Sequence, residues 1–405
     1  MTVITVGVLK ETADGERRVA LDPEAVARLV KDGRSVTIEP GAGLTASFPD
    51  ASYVSAGATL GSRADILNRS DVLAVVRCPN DAVADALRPG QVLIGLVDPL
   101  NNLELMGRLA ANGVTVAAFE LLPRTLSRAQ SMDAMTSQSS AAGYRAAIVG
   151  AEAFGRYFPM MITASGTARP ASVIVLGAGV AGLQAIGTAK RLGAVVTGYD
   201  VRPASRGEVE SLGAQFLTSS VAEGAGAGGY ARATTAEELD RQQAELSEQL
   251  KNFDVIITTA KVPGRTPPLL VSAETLATLS PGSVCVDLGA SERGGNVAGS
   301  VNGSRIVTER GVIVIGAGDL ASDLATSASQ MYGRNVSALI GSLAASLIDG
   351  GAISIDPTDE VHSSVIVCNA GSVTSPIVRE AAGLEPLLSE ASGASSEESV
   401  EVLPA

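Results

Sequence analysis

The stretch VIVLGAGVAGLQAIGTAKRLGAVVTGYD, residues 173–200, constrains the fold of this chain more than any other. A β-branched run passes into glycines spaced GxGxxG, at Gly177, Gly179 and Gly182. An amphipathic helical pattern follows, then a second apolar run that ends on Asp200, eighteen residues after Gly182. Strand, glycine turn, helix and strand in that order form the dinucleotide-binding βαβ unit. Gly177 permits the tight turn, Gly179 lets backbone approach a pyrophosphate, and Gly182 lets helix and strand pack closely, while the helix N-terminus offers N–H donors to the phosphates. The cofactor-binding set predicted from this unit is Gly177, Gly179, Val180, Ala181, Gly182, Asp200, Val201 and Arg202. Asp200 suits a ribose hydroxyl and repels a 2′-phosphate, which favours NAD over NADP, whereas Arg202 and Arg206 nearby could hold such a phosphate.

The same alternation recurs along the chain. VITVGVL, SVTIEP, DVLAVV, QVLIGLV and TVAAFEL occupy the first third, separated by helical spacing at 23–32 and 102–112. ASVIVLG, AVVTGYD, DVIITTA, SVCVDLG and RGVIVIG follow. Strands alternating with helices predict an α/β protein with two doubly wound, Rossmann-like domains built on parallel sheets. With no Trp and 3% aromatic residues, the core must come from Val, Ala, Leu and Ile, the composition of parallel strands buried on both faces. Helical spacing over 137–158 and 319–349 predicts two long helices crossing between the domains. The first domain is then discontinuous, 1–136 with 325–385, and the dinucleotide-binding domain spans 137–324. Residues 236–250 predict a charged, exposed helix, the Gly-rich 223–233 a mobile loop, and the Ser/Glu-rich 386–405 an acidic flexible tail.

A formal net charge of −13 would repel a phosphate backbone, so nucleic acid is excluded as a partner. Cys78, Cys285 and Cys368 are too few and too scattered for a disulfide framework or a metal site. The opening TVITVGVLKE lacks the features of a signal peptide, and the charge-free 171–189 stretch is better explained by its glycine turn than by a membrane span, so a cytoplasmic protein without a direct span is expected.

One heptapeptide, SRAQSMD at 127–133, gathers Arg128, Gln130 and Asp133 at the mouth of the first long helix. The local explanation is helix capping, with Asp133 favouring the positive helix end. The functional one is that a cation, an amide and a carboxylate orient a nicotinamide ring, since hydride transfer needs orientation rather than a nucleophile.

SRAQSMD, with AGYRA, FGRYFPMMITASGT, LGAGVAGLQAIGTAKRLGA, ESLGAQF and PGSVCVDL, resembles the soluble NAD-binding alpha subunit of the proton-translocating NAD(P) transhydrogenases over about 6–380. The alanine dehydrogenases are related through the opening GVLKE…ERRVALDP. The resemblance implies a homodimer that holds NAD(H), passes hydride directly to NADP(H) on an NADP-binding membrane subunit, and associates peripherally with the inner face of the membrane. It implies nicotinamide-holding roles for Gln130, Asp133 and an Arg of the same loop. Arg124 follows Pro123 as the family's functional Arg follows its Pro, but Pro123 to Gln130 is one residue longer than the family's PRISRAQ, so Arg128 remains the second candidate. Gly229 and Tyr230 match the family's loop that closes over the nucleotide. Two segments depart from the family pattern: 287–296, and 314–329, where a GHTNLPS-like turn loses its His and Pro.

Two other readings compete. An alanine dehydrogenase-like oxidoreductase needs a His acid/base and a Lys for the substrate carboxylate; the only histidine, His362, lies far from the expected segment, and Arg77 stands where the Lys is expected. A non-catalytic NADH-sensing scaffold would need no heptapeptide chemistry.

Overall fold

The computed structural model describes residues 3–202, 204–218, 236–345 and 355–387. The chain folds into two large sheets. The first runs, edge to edge, Ser372–Val373, Ile366–Asn369, Thr115–Ala118, Val92–Gly95, Val72–Ala74, Thr5–Val8, Ser35–Ile38 and Thr59–Leu60. Its strands are parallel except the two C-terminal ones, which add antiparallel at the Thr115–Ala118 edge. The second sheet runs Gln215–Phe216, Val195–Tyr199, Ser172–Leu176, Val255–Thr258, Val284–Asp287, Ile313–Gly316 and Arg305–Val307, only the last being antiparallel. Counting in chain order, its parallel strands lie 3-2-1-4-5-6, so the order reverses between Ser172–Leu176 and Val255–Thr258. Open α/β sheets bind ligands outside the carboxyl ends of their strands at such a reversal.

Parallel strands form here because both faces are covered. On one face of the first sheet the Pro23–Lys31 and Ala325–Ala345 helices bury Leu29, Tyr332, Val336 and Leu339. On the other, Ile66 and Met106 come from the Arg63–Arg69 and Leu103–Ala111 helices. The second sheet is sandwiched in the same way, with Ala146, Ala147 and Ile186 on one side and Leu246, Leu250 and Leu276 on the other.

Several elements differ from the sequence expectation. The first linking helix is Ala134–Ala153, not 137–158: Asp133 caps it by accepting the Thr136 N–H at 2.8 Å, and Phe154 turns extended ahead of Gly155 and Pro159. A hairpin, Met161–Thr163 with Gly166–Ala168, follows, which no alternation announced. The second linking helix is broken at Leu324, whose φ −101, ψ 39 separates Leu320–Asp323 from Ala325–Ala345. The Ala236–Leu250 helix is charged, but Leu246 and Leu250 are buried, so one face packs on the sheet. The 223–233 loop with Gly229 and Tyr230, and all but the start of the 386–405 tail, lie outside the described residues. Among the described residues no helix is long and apolar enough to cross a membrane.

Candidate functional site

The glycine turn sits at the strand-order reversal. Gly177 adopts φ +101, which a side chain would strain, and a Cβ there would lie 2.5 Å from the Thr259 Oγ1 of the neighbouring strand end. Gly182 approaches backbone more closely still: its Cβ would lie 1.8 Å from the Gly177 carbonyl oxygen. Gly179 is different, with open space where its Cβ would be. It is also the N-cap of the twelve-residue Val180–Arg191 helix and makes no side-chain cap bond. An open glycine in front of uncapped helical N–H groups is the cradle a pyrophosphate requires. Val180 and Ala181 form the first turn of that helix, half-buried beside this opening.

Asp200 follows the Val195–Tyr199 strand with all of its acceptor capacity engaged. Its Oδ2 accepts the Ala178 N–H at 2.7 Å and Arg202 Nη2 at 3.0 Å, and its Oδ1 accepts the Arg202 N–H at 2.8 Å and Arg202 Nε at 3.0 Å. A carboxylate offers about four lone-pair sites. A ribose hydroxyl arriving at Asp200 therefore takes the place of an Arg202 N–H, the one donor group there that can rotate away. Val201 packs half-buried on the core beneath, and Arg206 turns to Thr218 and the Phe216 ring instead.

The heptapeptide forms a six-residue 3-10 helix, Ser127–Met132, ending at the Asp133 cap. Arg124, Asp133 and Thr136 come together: Asp133 Oδ2 accepts the Thr136 hydroxyl at 2.6 Å and faces Arg124 Nε at 3.5 Å, and Arg124 Nη2 donates to Thr136 Oγ1 at 2.9 Å. Arg128 does not join them. Its guanidinium forks onto Asp359 at 2.6 and 3.1 Å. Gln130 is exposed, and its amide has no hydrogen-bond partner among the described residues. The helix that begins at Asp133 runs onto the dinucleotide turn. A Cβ at Gly143 would lie 2.0 Å from the Ala181 carbonyl oxygen, and Ser140 Oγ donates to Gln184 Oε1 at 3.4 Å. Backbone contact of this kind fixes the heptapeptide's helix against the glycine turn.

A charged network crosses between the sheets, and sequence reasoning missed it. Glu16 is buried between Arg18 (Nη2 at 2.6 Å) and Arg77 (Nε at 2.8 Å), and the two guanidinium groups hold its carboxyl down at about 2 against the cost of burial. Arg77, beyond the Val72–Ala74 strand, also pairs with Asp319, beyond the Ile313–Gly316 strand. Asn302 donates to Asp319 at 2.7 Å. Lys261 reaches into the same cleft toward the Gly318 carbonyl; it stays open to solvent, yet the crowding walls lower its ammonium pKa. Arg77 and Asp319 are 242 positions apart, so no local pattern could have paired them. The departing 287–296 segment is tied down at its two ends. Asn296 bonds Ala260 and Pro268, and buried Asp287 accepts from Thr258, Gly289 and Val297.

Glu120 offers a pH test of this region. Its Oε1 accepts the N–H of Asp98, a residue at φ +45, while its Oε2 is buried without a partner among the described residues. Burial pushes its carboxyl up from 4.5 to about 7. A raised folded-state pKa stabilises fully below 4.5, and the contribution disappears as pH rises through about 7. Glu120→Gln keeps the acceptor and removes the ionisation. The variant should gain on the parent by up to roughly 3 kcal/mol between pH 4.5 and 8. Thermal melts across that range test it, and a pH-independent difference would contradict it.

Comparison with known proteins defines the class. Residues 7–142 match the model described as alanine dehydrogenase/PNT, N-terminal domain, and residues 146–376 match alanine dehydrogenase/PNT, C-terminal domain. The chain belongs to the alanine dehydrogenase/PNT family. Within it the sequence is nearer to the transhydrogenases. It is 41% identical to the NAD(P) transhydrogenase subunit alpha of Cereibacter sphaeroides, over 92% of this chain and 71% of that one. It is 32% identical to the alanine dehydrogenase of Mycobacterium tuberculosis, over 73% of this chain and 74% of that one. The crystal structure of transhydrogenase from Sinorhizobium meliloti superposes with a TM-score of 0.79 at 38% identity, covering 92% of this chain and 99% of that chain.

Proposed function

We propose that this chain is the NAD(H)-binding component of a proton-translocating NAD(P) transhydrogenase, passing hydride directly between its own nicotinamide and that of NADP(H) on a partner subunit. The observation that carries the reading is Gln130. It is an exposed amide, without a hydrogen-bond partner among the described residues, of a short turn set between the Arg124–Asp133–Thr136 cluster and Arg128, at the mouth of a helix packed against the glycine turn. Gly177, Gly179 and Gly182 receive the pyrophosphate, and Asp200 with Val201 and Arg202 receives the adenosine ribose. Arg124, Gln130 and Asp133 orient the nicotinamide, whose C4 supplies or accepts the hydride. The transfer consumes no proton, so no acid/base residue is required.

Asp200 supports NAD(H) over NADP(H) here. Arg202, already bound to that carboxylate, is the smaller influence. In this reading residues 1–136 and 325–385 form one domain and 137–324 the other. The protein works as a homodimer, peripheral to the membrane through an NADP-binding partner. Amino-acid oxidation is disfavoured because His362 is buried and bonded to Ser342 at 3.1 Å, away from the glycine turn's strand ends.

The test mixes the chain with an NADPH-loaded transhydrogenase NADP-binding domain and a spectrally distinct NAD⁺ analogue. Analogue reduction that needs both proteins is the expected result. Tight NADH binding with no reduction would overturn the catalytic reading in favour of a nucleotide sensor.

A further inference from the structure

The Ser127–Met132 turn is too short to hold its own geometry, since 3-10 helices have poor hydrogen bonds and rarely persist. Its position is set from outside. Ala129 and Met132 are buried in the first sheet's core. At its C-terminal end Asn335 Nδ2, on the Ala325–Ala345 helix, donates to the Ser131 carbonyl at 2.9 Å, and Asn335 Oδ1 accepts the Ser137 hydroxyl at 2.8 Å. At its N-terminal end the only side-chain tie among the described residues is the fork of Arg128 on Asp359. Gln130 stands between these two fixings.

Asp359 is itself held firmly. It caps the Glu360–Val365 helix, its Oδ1 accepting the Val361 and His362 N–H groups at 2.8 and 3.1 Å. Val361 and Val365 are fully buried in the same core as Ala129 and Met132. The helix leads straight into the Ile366–Asn369 strand, which pairs with Thr115–Ala118, and that strand leads back to the heptapeptide. The carboxylate is therefore rigidly placed relative to the turn it grips. Arg128 is about half exposed, with 49% of its side chain accessible against 23% for Asp359, and pairs so exposed add little to stability. A bidentate fork does fix orientation.

We infer that Asp359, acting through Arg128, is a positioning residue for hydride transfer: the fork sets the rotation of the 127–132 turn and with it the placement of the Gln130 amide. The inference rests on the role proposed for Gln130. Arg128 thereby works without touching the nucleotide, and Arg124 is the cation beside Asp133.

Asp359→Asn tests it, because Asn also caps helices well while it gives up the charged fork. Single-turnover hydride transfer to the partner domain and NADH affinity are measured for Asp359→Asn, Arg128→Gln, Gln130→Asn and the Asp359→Asn/Gln130→Asn double variant. Transfer should slow roughly tenfold in the first two, with NADH affinity within about twofold of the parent, since misplacement of an orienting group costs rate rather than ground-state binding. In the Gln130→Asn background, Asp359→Asn should add no further loss. Parental transfer in Asp359→Asn beside slow transfer in Gln130→Asn would overturn the positioning role alone. Parental transfer in Gln130→Asn would overturn the role of Gln130 and the inference with it. Parallel losses of melting temperature and NADH affinity in Asp359→Asn would also overturn it, by showing a general structural part.

Discussion

Gly182→Ala should abolish measurable NADH binding, weakening it by roughly 100-fold or more, and should lower thermal stability as well. The methyl group would lie 1.8 Å from the Gly177 carbonyl oxygen and 2.9 Å from its carbon, and both are backbone atoms. Neither can rotate aside. Gly177 cannot retreat because Thr259 donates to its carbonyl at 3.0 Å and its own α-carbon faces Thr259 Oγ1. The Val180–Arg191 helix would have to lift from the strand, and overpacking of this kind costs about 1–3 kcal/mol or more. Gly179→Ala is the control. It meets nothing in the protein, so its melting temperature should match the parent's, while the added methyl occupies the space the pyrophosphate needs. Calorimetry of NADH binding with thermal melts separates the two. If Gly182→Ala bound NADH like the parent, the glycine turn would not be the pyrophosphate site.

What could be read in advance was what lies close together in sequence. Five of the second sheet's six parallel strands, all but the two-residue Gln215–Phe216, are continuous β-branched runs ended by Gly, Asp or Thr and covered on both faces of the sheet, so each announced itself locally. The glycine turn and Asp200 lie within one βαβ unit. Asp133 was legible twice over, because the capping bond to Thr136 and the approach to Arg124 use different oxygens of one carboxylate. The antiparallel additions were not legible. Ile366–Asn369 is a four-residue run whose partner, Thr115–Ala118, lies some 250 positions away, and chain periodicity carries no information about pairing at that distance. The site's long-range ties failed for the same reason: Arg128 with Asp359 across 231 positions, and Arg77 with Asp319. Arg124 was preferred to Arg128 for its place after Pro123, but the carboxylate each one faces, Asp133 for Arg124 and Asp359 for Arg128, was not visible in the sequence. The one-residue extension after Pro123 leaves Arg124 beside Asp133 even so, because the extra residue falls in the turn before the 3-10 helix begins.

Gln130→Asn should slow hydride transfer by roughly 100-fold while NADH affinity stays within about twofold. The substitution keeps the amide and removes one methylene, which draws the donor and acceptor back by more than about 1 Å. Misplacement on that scale costs about 100-fold where reaction depends on two rings meeting in a fixed geometry. Stability should not change: Gln130 is exposed, its amide bonds nothing among the described residues, and the neighbouring Ala129 and Met132 carry the packing. In the proposed function ground-state affinity is assigned elsewhere, to the glycine cradle and Asp200. A structural amide would show the opposite pattern, lost stability or affinity at an unchanged rate. Single-turnover kinetics at saturating nucleotide decide the matter, and transfer at the parental rate would remove Gln130 from the reaction and leave Arg124 and Asp133 as a helix cap alone.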